Sequence, residues 1–245
     1  MTDPLLLTTT RVTTYLGATL LTGATGFFFR RDEELYLVTS QHVVHDDRSG
    51  HLPDRLEFEV HTDAVDLTRV ASMSLPLYRD GVGTWRAAKD QFGDIDVAVL
   101  KIDRTTLPST VLLRSFTPAH LQDCLNEIEV GTSLLIVGFP LGFHDTLHHL
   151  PVARLASVAS AFGVRFQGQG LFLTDARTHR GSSGAPVVMR TATAQSSGLP
   201  WKLLGVHSAR MDMGNRDPDQ DDALGLNCAW YADVLMPLSR PSEST

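Results

Sequence analysis

Apolar and polar residues alternate with a period of two along most of the chain, in short runs rich in β-branched and aromatic side chains. Residues 11–16, 24–29, 35–38, 56–60, 97–102, 133–137, 153–159, 170–173 and 185–189 have this form, and clusters of Gly, Pro, Asp and Ser separate them. Many short strands at such spacing predict an all-β chain, an antiparallel sandwich or barrel rather than βαβ units. The polar stretch 103–126, with its Thr and Pro residues, reads as a linker between two similar halves, 8–110 and 127–238. Only residues 231–238 read as a short helix, and the tail 241–245 is expected to fray. No internal repeat or low-complexity tract interrupts the pattern.

Composition narrows the function classes. With 245 residues, 42% of them hydrophobic and 20% charged, the chain can bury one large core or two small ones and is too apolar for disorder. Its 28 acids against 21 Lys and Arg leave a net charge of −7, which argues against a nucleic-acid partner held by phosphate contacts. Cys124 and Cys228 form no disulfide framework and no zinc spacing, and both are expected free and buried. No basic segment precedes Leu5, Leu6 and Leu7, and no run approaches the roughly 18 apolar residues of a membrane span. The expectation is a cytoplasmic protein with no membrane partner.

Three distant segments carry chemistry. An apolar strand, Tyr36-Leu37-Val38-Thr39, leads through Ser40 and Gln41 to His42; Asp96 opens the apolar run Val97-Ala98-Val99-Leu100; and Ser183 sits in the turn Gly181-Ser182-Ser183-Gly184 ahead of Ala185-Pro186-Val187. A serine hydroxyl attacks an amide only when an imidazole takes its proton and a carboxylate holds that imidazole in one tautomer. One His, one Asp and one Ser meet this need. The glycines let the backbone turn tightly enough to aim the N–H groups of Gly181 and Ser183 at one point, an oxyanion hole.

Taken together, these segments resemble the trypsin-like, chymotrypsin-fold serine peptidases, most closely the HtrA/Deg-type and glutamyl-endopeptidase-type branches. The order His, Asp, Ser is the chymotrypsin order. The likeness runs from about Thr9 to Leu238 and includes Gly23-Ala24-Thr25-Gly26 before the histidine strand and Gly138-Phe139-Pro140-Leu141-Gly142 in the second half. Thr174-Asp175-Ala176 lies ahead of the serine turn. The resemblance implies two six-stranded antiparallel β-barrels with His42 and Asp96 from the first, Ser183 from the second, and a short C-terminal helix. It implies a serine endopeptidase acting on proteins or peptides through an acyl-enzyme. No metal or cofactor is expected. Gln41, where the family usually has Ala, and Ala185, where it usually has Gly, depart from the pattern without removing a reacting group. The alternative, from another class, is a catalytically silent peptide-binding or chaperone-like module of the same fold.

Asp94 competes with Asp96 for the triad; the family pattern fits Asp96, and Asp94 reads as a loop residue. His144, His148 and His149 fall in a strand-rich region where a surface loop is preferred over a metal site. His45, His51 and His61 read as surface residues. The acidic run 212–222 lacks the Gly and Glu of a calcium loop and reads as a solvated loop. Ser208 is expected to line the cleft beside Asp96 and pair with substrate main chain as an added strand. Thr178, five residues before Ser183, and His207 match the glutamyl endopeptidases, with Arg177 near the expected pocket floor. These residues leave two specificities open, for Glu or for a small apolar residue before the scissile bond. The uncharged Ser182 before the nucleophile predicts no trypsin-style zymogen, and the loop 144–150 is the expected controller of the oxyanion hole. With only seven residues after Leu238, no PDZ domain is expected. A regulatory protein partner is expected to supply targeting.

Overall fold

A computed structural model describes residues 2–122, 124–191, 198–211 and 224–240. The first half contributes β1 (Thr9–Leu16), β2 (Thr19–Arg31), β3 (Glu34–Thr39), the single-turn helix α1 (Gln41–Val44), β4 (Arg55–His61) and β5 (Val70–Pro76). After a small hairpin of β6 (Tyr78–Arg79) and β7 (Val82–Gly83) come β8 (Trp85–Asp90) and β9 (Gly93–Ile102). These form a seven-stranded antiparallel sheet in the order β5-β4-β1-β2-β3-β9-β8, beside the separate β6-β7 pair. The second half comprises β10 (Ser133–Gly138), β11 (Val152–Val158), β12 (Leu171–Asp175), β13 (Pro186–Arg190), β14 (Trp201–Arg210) and β15 (Leu226–Tyr231), which close into a six-stranded barrel.

Continuous apolar runs in β2, β3 and β9 have a physical cause: both faces of these strands are buried. In β2, Phe28 points into the core of the first half with Leu37, Phe58 and Leu100. Its neighbours Phe27 and Phe29 point the other way, into a cluster with Tyr36, Val97, Val99, Phe116, Leu173 and Val206 that joins the two halves. A third cluster, built on Ile136, Phe172, Val187 and Leu204, fills the second barrel. Each fully buried Phe contributes about 2 kcal/mol or more. The strands bearing His42 and Asp96 are thus fixed against the half that bears Ser183.

The stretch 103–126 joins the halves and its described residues pack on both, with bridges from Leu112 to His61, Phe116 to Phe29 and Leu121 to Leu203. Other sequence expectations are corrected. Tyr231 ends a strand paired with Gly205, so the helical end begins only with a 3-10 turn at Ala232–Val234 and continues as α2 (Leu235–Leu238). That end is held on the first half by hydrogen bonds from Arg31 to the Met236 carbonyl (2.6 Å) and from Tyr36 to the Ser239 carbonyl (3.1 Å). Both cysteines are free, but Cys124 is exposed and Cys228 only half-buried. Burial pushes the Cys228 thiol up to about 11, so it is no reactive thiolate. Among the described residues no helix is long and apolar enough to cross a membrane.

Candidate active site

His42 sits in α1 directly after β3, where its backbone N–H lacks an intrahelical acceptor. Asp96, near the start of the apolar half of β9, supplies one: its Oδ1 accepts from the His42 main-chain N–H (2.9 Å), and its Oδ2 accepts from Nδ1 of the same residue (2.7 Å). One carboxylate therefore grips both the backbone and the ring. With Nδ1 as the donor, Nε2 carries the free lone pair. Burial opposes protonation of His42, but the hydrogen bond and charge of Asp96, aided by Asp46, outweigh it and raise the imidazole above its ordinary value of 6.5. The Ser208 hydroxyl donates to Asp96 Oδ2 as well.

Ser183 lies in the turn ahead of β13. Its hydroxyl donates to the Ser208 carbonyl (3.1 Å) in this resting arrangement. His42, Gly181 and Ser183 line one cavity of about 480 Å³, together with Ala24, Asp46 and Arg180. Gly181 and Gly184 have φ of +90° and +84°, the left-handed region that disfavours a side chain. A Cβ on Gly181 would lie 2.5 Å from the Phe139 carbonyl oxygen, so the turn packs against the chain of the second barrel at closest approach. The N–H groups of Gly181 and Ser183 have no hydrogen-bond partner among the described residues. The preceding Arg180 carbonyl accepts from the Leu141 N–H (2.5 Å), which fixes the peptide plane that carries the Gly181 N–H.

The structure separates Asp94 from this group. It is exposed at the β8–β9 hairpin and pairs with Lys89 (2.9 Å). His207 is 2% exposed, its Nδ1 is buried without a hydrogen-bond partner among the described residues, and burial first, then the charge of His42, lowers it to about 4. Thr178 is buried and its hydroxyl donates to Asn227 Oδ1; Asn227 in turn donates to the Ala176 carbonyl (2.6 Å). Arg177 is exposed. Asn227 went unnoticed in the sequence, where a single Asn in a strand carries no signal.

The remaining histidines hold loops. His148 donates to Asp145 (2.8 Å) and His149 to Glu59 (2.9 Å), while His144 Nδ1 reaches the Gly142 carbonyl (2.6 Å). Among the described residues no His, Cys, Asp or Glu cluster could hold a metal. His45, His51 and His61 are not plain surface residues: all are at least partly buried, and they bond to the Tyr78 hydroxyl, the Val43 carbonyl and the His148 carbonyl. The acidic run 212–222 lies outside the described residues.

A histidine gripped by an aspartate on one half, sharing a cavity with a serine turn of the closed barrel in the other, is the arrangement of the chymotrypsin-like serine peptidase class. The chain belongs to the trypsin-like peptidase domain family, whose model matches residues 24–194. Among solved structures it is similar to an HtrA-type protease with tripeptide (TM-score 0.55, 16% identity), covering 95% of this chain and 58% of that one. It is also similar to the serine endoprotease from Yersinia pestis (TM-score 0.54, 16% identity), covering 95% of this chain and 61% of that one. The chain thus spans about three-fifths of the length of either. No curated protein sequence matches it.

Proposed function

We propose that the chain is a serine endopeptidase in which Ser183 is the nucleophile, His42 the general base and then acid, and Asp96 the group that orients His42. The observation that carries this reading is the double hydrogen bond from His42 to Asp96 beside a cavity shared with Ser183 and Gly181. The Ser183 hydroxyl turns from the Ser208 carbonyl, its oxygen bonds to the scissile carbonyl carbon, and its proton passes to His42 Nε2. The oxyanion formed is held by the N–H groups of Gly181 and Ser183. When the C–N bond breaks, the amine leaves with the proton from His42, and water repeats the sequence on the acyl-enzyme. Pairing of β13 with β14 ends at Pro186 and Val206, so β14 runs on through Ser208 to Arg210 beyond that partner, which supports substrate main chain adding there as a strand.

The reading for the residue before the scissile bond is small and uncharged. A buried carboxylate is held best by charge-assisted donors, but His207 is uncharged at pH 7 and offers one neutral ring N–H, and the Thr178 hydroxyl is already given to Asn227. Exposed Arg177 leaves the choice unchanged. A library of internally quenched peptides tests both levels of the proposal. Wild type cleaves after Ala, Val or Leu, and Ser183→Ala cleaves nothing. Binding without cleavage by wild type would favour a silent peptide-binding module. Cleavage after Glu that collapses in His207→Ala would favour the carboxylate pocket.

A further inference from the structure

Thr25 uses every polar atom it has on one purpose. It is fully buried in β2, on the first half of the molecule. Its N–H donates to the Ser183 carbonyl (3.0 Å), its hydroxyl donates to the Gly181 carbonyl (2.7 Å), and the same oxygen accepts from the Phe139 N–H (3.0 Å). Its own carbonyl accepts from the Thr39 hydroxyl (2.8 Å), two residues before α1 and three before His42. Two glycines make room for it. A Cβ on Gly138 would come 2.6 Å from the Thr25 hydroxyl, and one on Gly184 would overlap the Thr25 carbonyl.

The consequence is geometric. The carbonyls of Gly181 and Ser183 both point at Thr25, and they fix the planes of the peptides that follow each residue. The Arg180 carbonyl is fixed separately by Leu141, and Arg180 shares its peptide plane with the Gly181 N–H. The Phe139 N–H, held by Thr25, anchors the segment that carries Leu141. The Ser183 N–H therefore sits between two peptides that Thr25 fixes, its own plane being held by the Ser182 carbonyl on the Ala185 N–H (3.0 Å), and the Gly181 N–H is tied to Thr25 through Phe139 and Leu141. We infer that Thr25 is a positioning residue through which the first half of the molecule sets the oxyanion hole built on the second. This rests on the proposed peptidase chemistry for its kinetic effect, though not for its structural one.

Thr25→Val keeps the shape and removes the hydroxyl, Thr25→Ser keeps the hydroxyl, and Thr25→Ala serves where Val does not fold. The expected result with a cleavable peptide is a kcat lower by roughly 10- to 100-fold in Thr25→Val, with KM within about twofold of wild type and fluorophosphonate labelling slowed in parallel. Thr25→Ser regains most of the rate. Hydrogen exchange supplies an arm independent of catalysis: in the Ser183→Ala background, Thr25→Val speeds amide exchange across residues 179–184 and Thr25→Ser does not. Wild-type kcat in Thr25→Val, equal damage in Thr25→Ser, or unchanged exchange would overturn the inference. A wild type that neither cleaves nor labels would refute the peptidase chemistry, and the exchange result would still decide the role of Thr25.

Discussion

Asp96→Asn separates the proposed triad from its neighbour most sharply. Asp96 accepts three hydrogen bonds: the His42 N–H, His42 Nδ1 and the Ser208 hydroxyl. An asparagine can keep its oxygen on the His42 main chain, but its NH₂ then faces Nδ1 and forces the proton onto Nε2. The base is lost while the fold is kept, and kcat should fall by about 10⁴-fold, or about 5 kcal/mol in the barrier. Asp94→Asn removes only an exposed ion pair with Lys89 and should leave kcat unchanged. The pH profile adds a second sign. Activity needs neutral His42, so the acid limb of wild type lies above 6.5, because Asp96 and Asp46 raise it against burial. With Asp96 neutralised, burial remains and the limb of the residual activity moves down. The assay is hydrolysis of a quenched peptide followed across about pH 5 to 9. Asp96→Asn with more than about a tenth of wild-type kcat, or an inactive Asp94→Asn, would refute the assignment.

Other variants test the scaffold around the site. Gly184→Ala forces a side chain into left-handed backbone at φ +84° and against the Thr25 carbonyl, and should cost about 4 kcal/mol or more. Thermal melting reads this as a fall of about 10 °C, and an unchanged Tm would contradict the packing. His207 has a folded value of about 4 against 6.5 unfolded, so the unfolded chain binds more protons between them. Stability present above about pH 6.5 is lost as pH falls toward about 4, roughly 3 kcal/mol from this group. His207→Gln should therefore lose less Tm than wild type on acidification, and an identical loss would show that His207 is not buried neutral.

How much was legible in the sequence depended on burial. Strands β2, β3 and β9 announce themselves because both faces are covered, so Phe27-Phe28-Phe29 and Val97-Ala98-Val99-Leu100 leave no polar position to confuse the reading. Strands β5 and β8 lie at the edges of the first sheet with mostly exposed or half-covered residues, and their weak alternation hid them. Tyr231 resembled the start of a helix, yet its ring packs edge-on to Phe162 (centroids 5.1 Å) at the end of a strand. His42, Asp96 and Ser183 stand out in their apolar or glycine-rich settings, Ser208 is singled out only by the family resemblance, and the fold links the four through hydrogen bonds. Thr25 and Asn227 could not, because their roles are bonds to main-chain atoms more than 40 residues away, which no local spacing encodes. The proposed specificity turns on the same kind of bond: the sequence places Thr178 near a pocket, but only the fold shows its hydroxyl bonded to Asn227.

Activated serine chemistry at Ser183 is the centre of the account, and one measurement reaches it directly. The folded 245-residue chain is treated with a fluorophosphonate at neutral pH, and the adduct is located by peptide mass mapping. One adduct is expected, on Ser183, that vanishes in Ser183→Ala and forms much more slowly in Asp96→Asn, with Tm of Ser183→Ala close to wild type because only one hydroxyl bond, to Ser208, is lost. No adduct on folded wild type, or an adduct on another serine that survives Ser183→Ala, would contradict it.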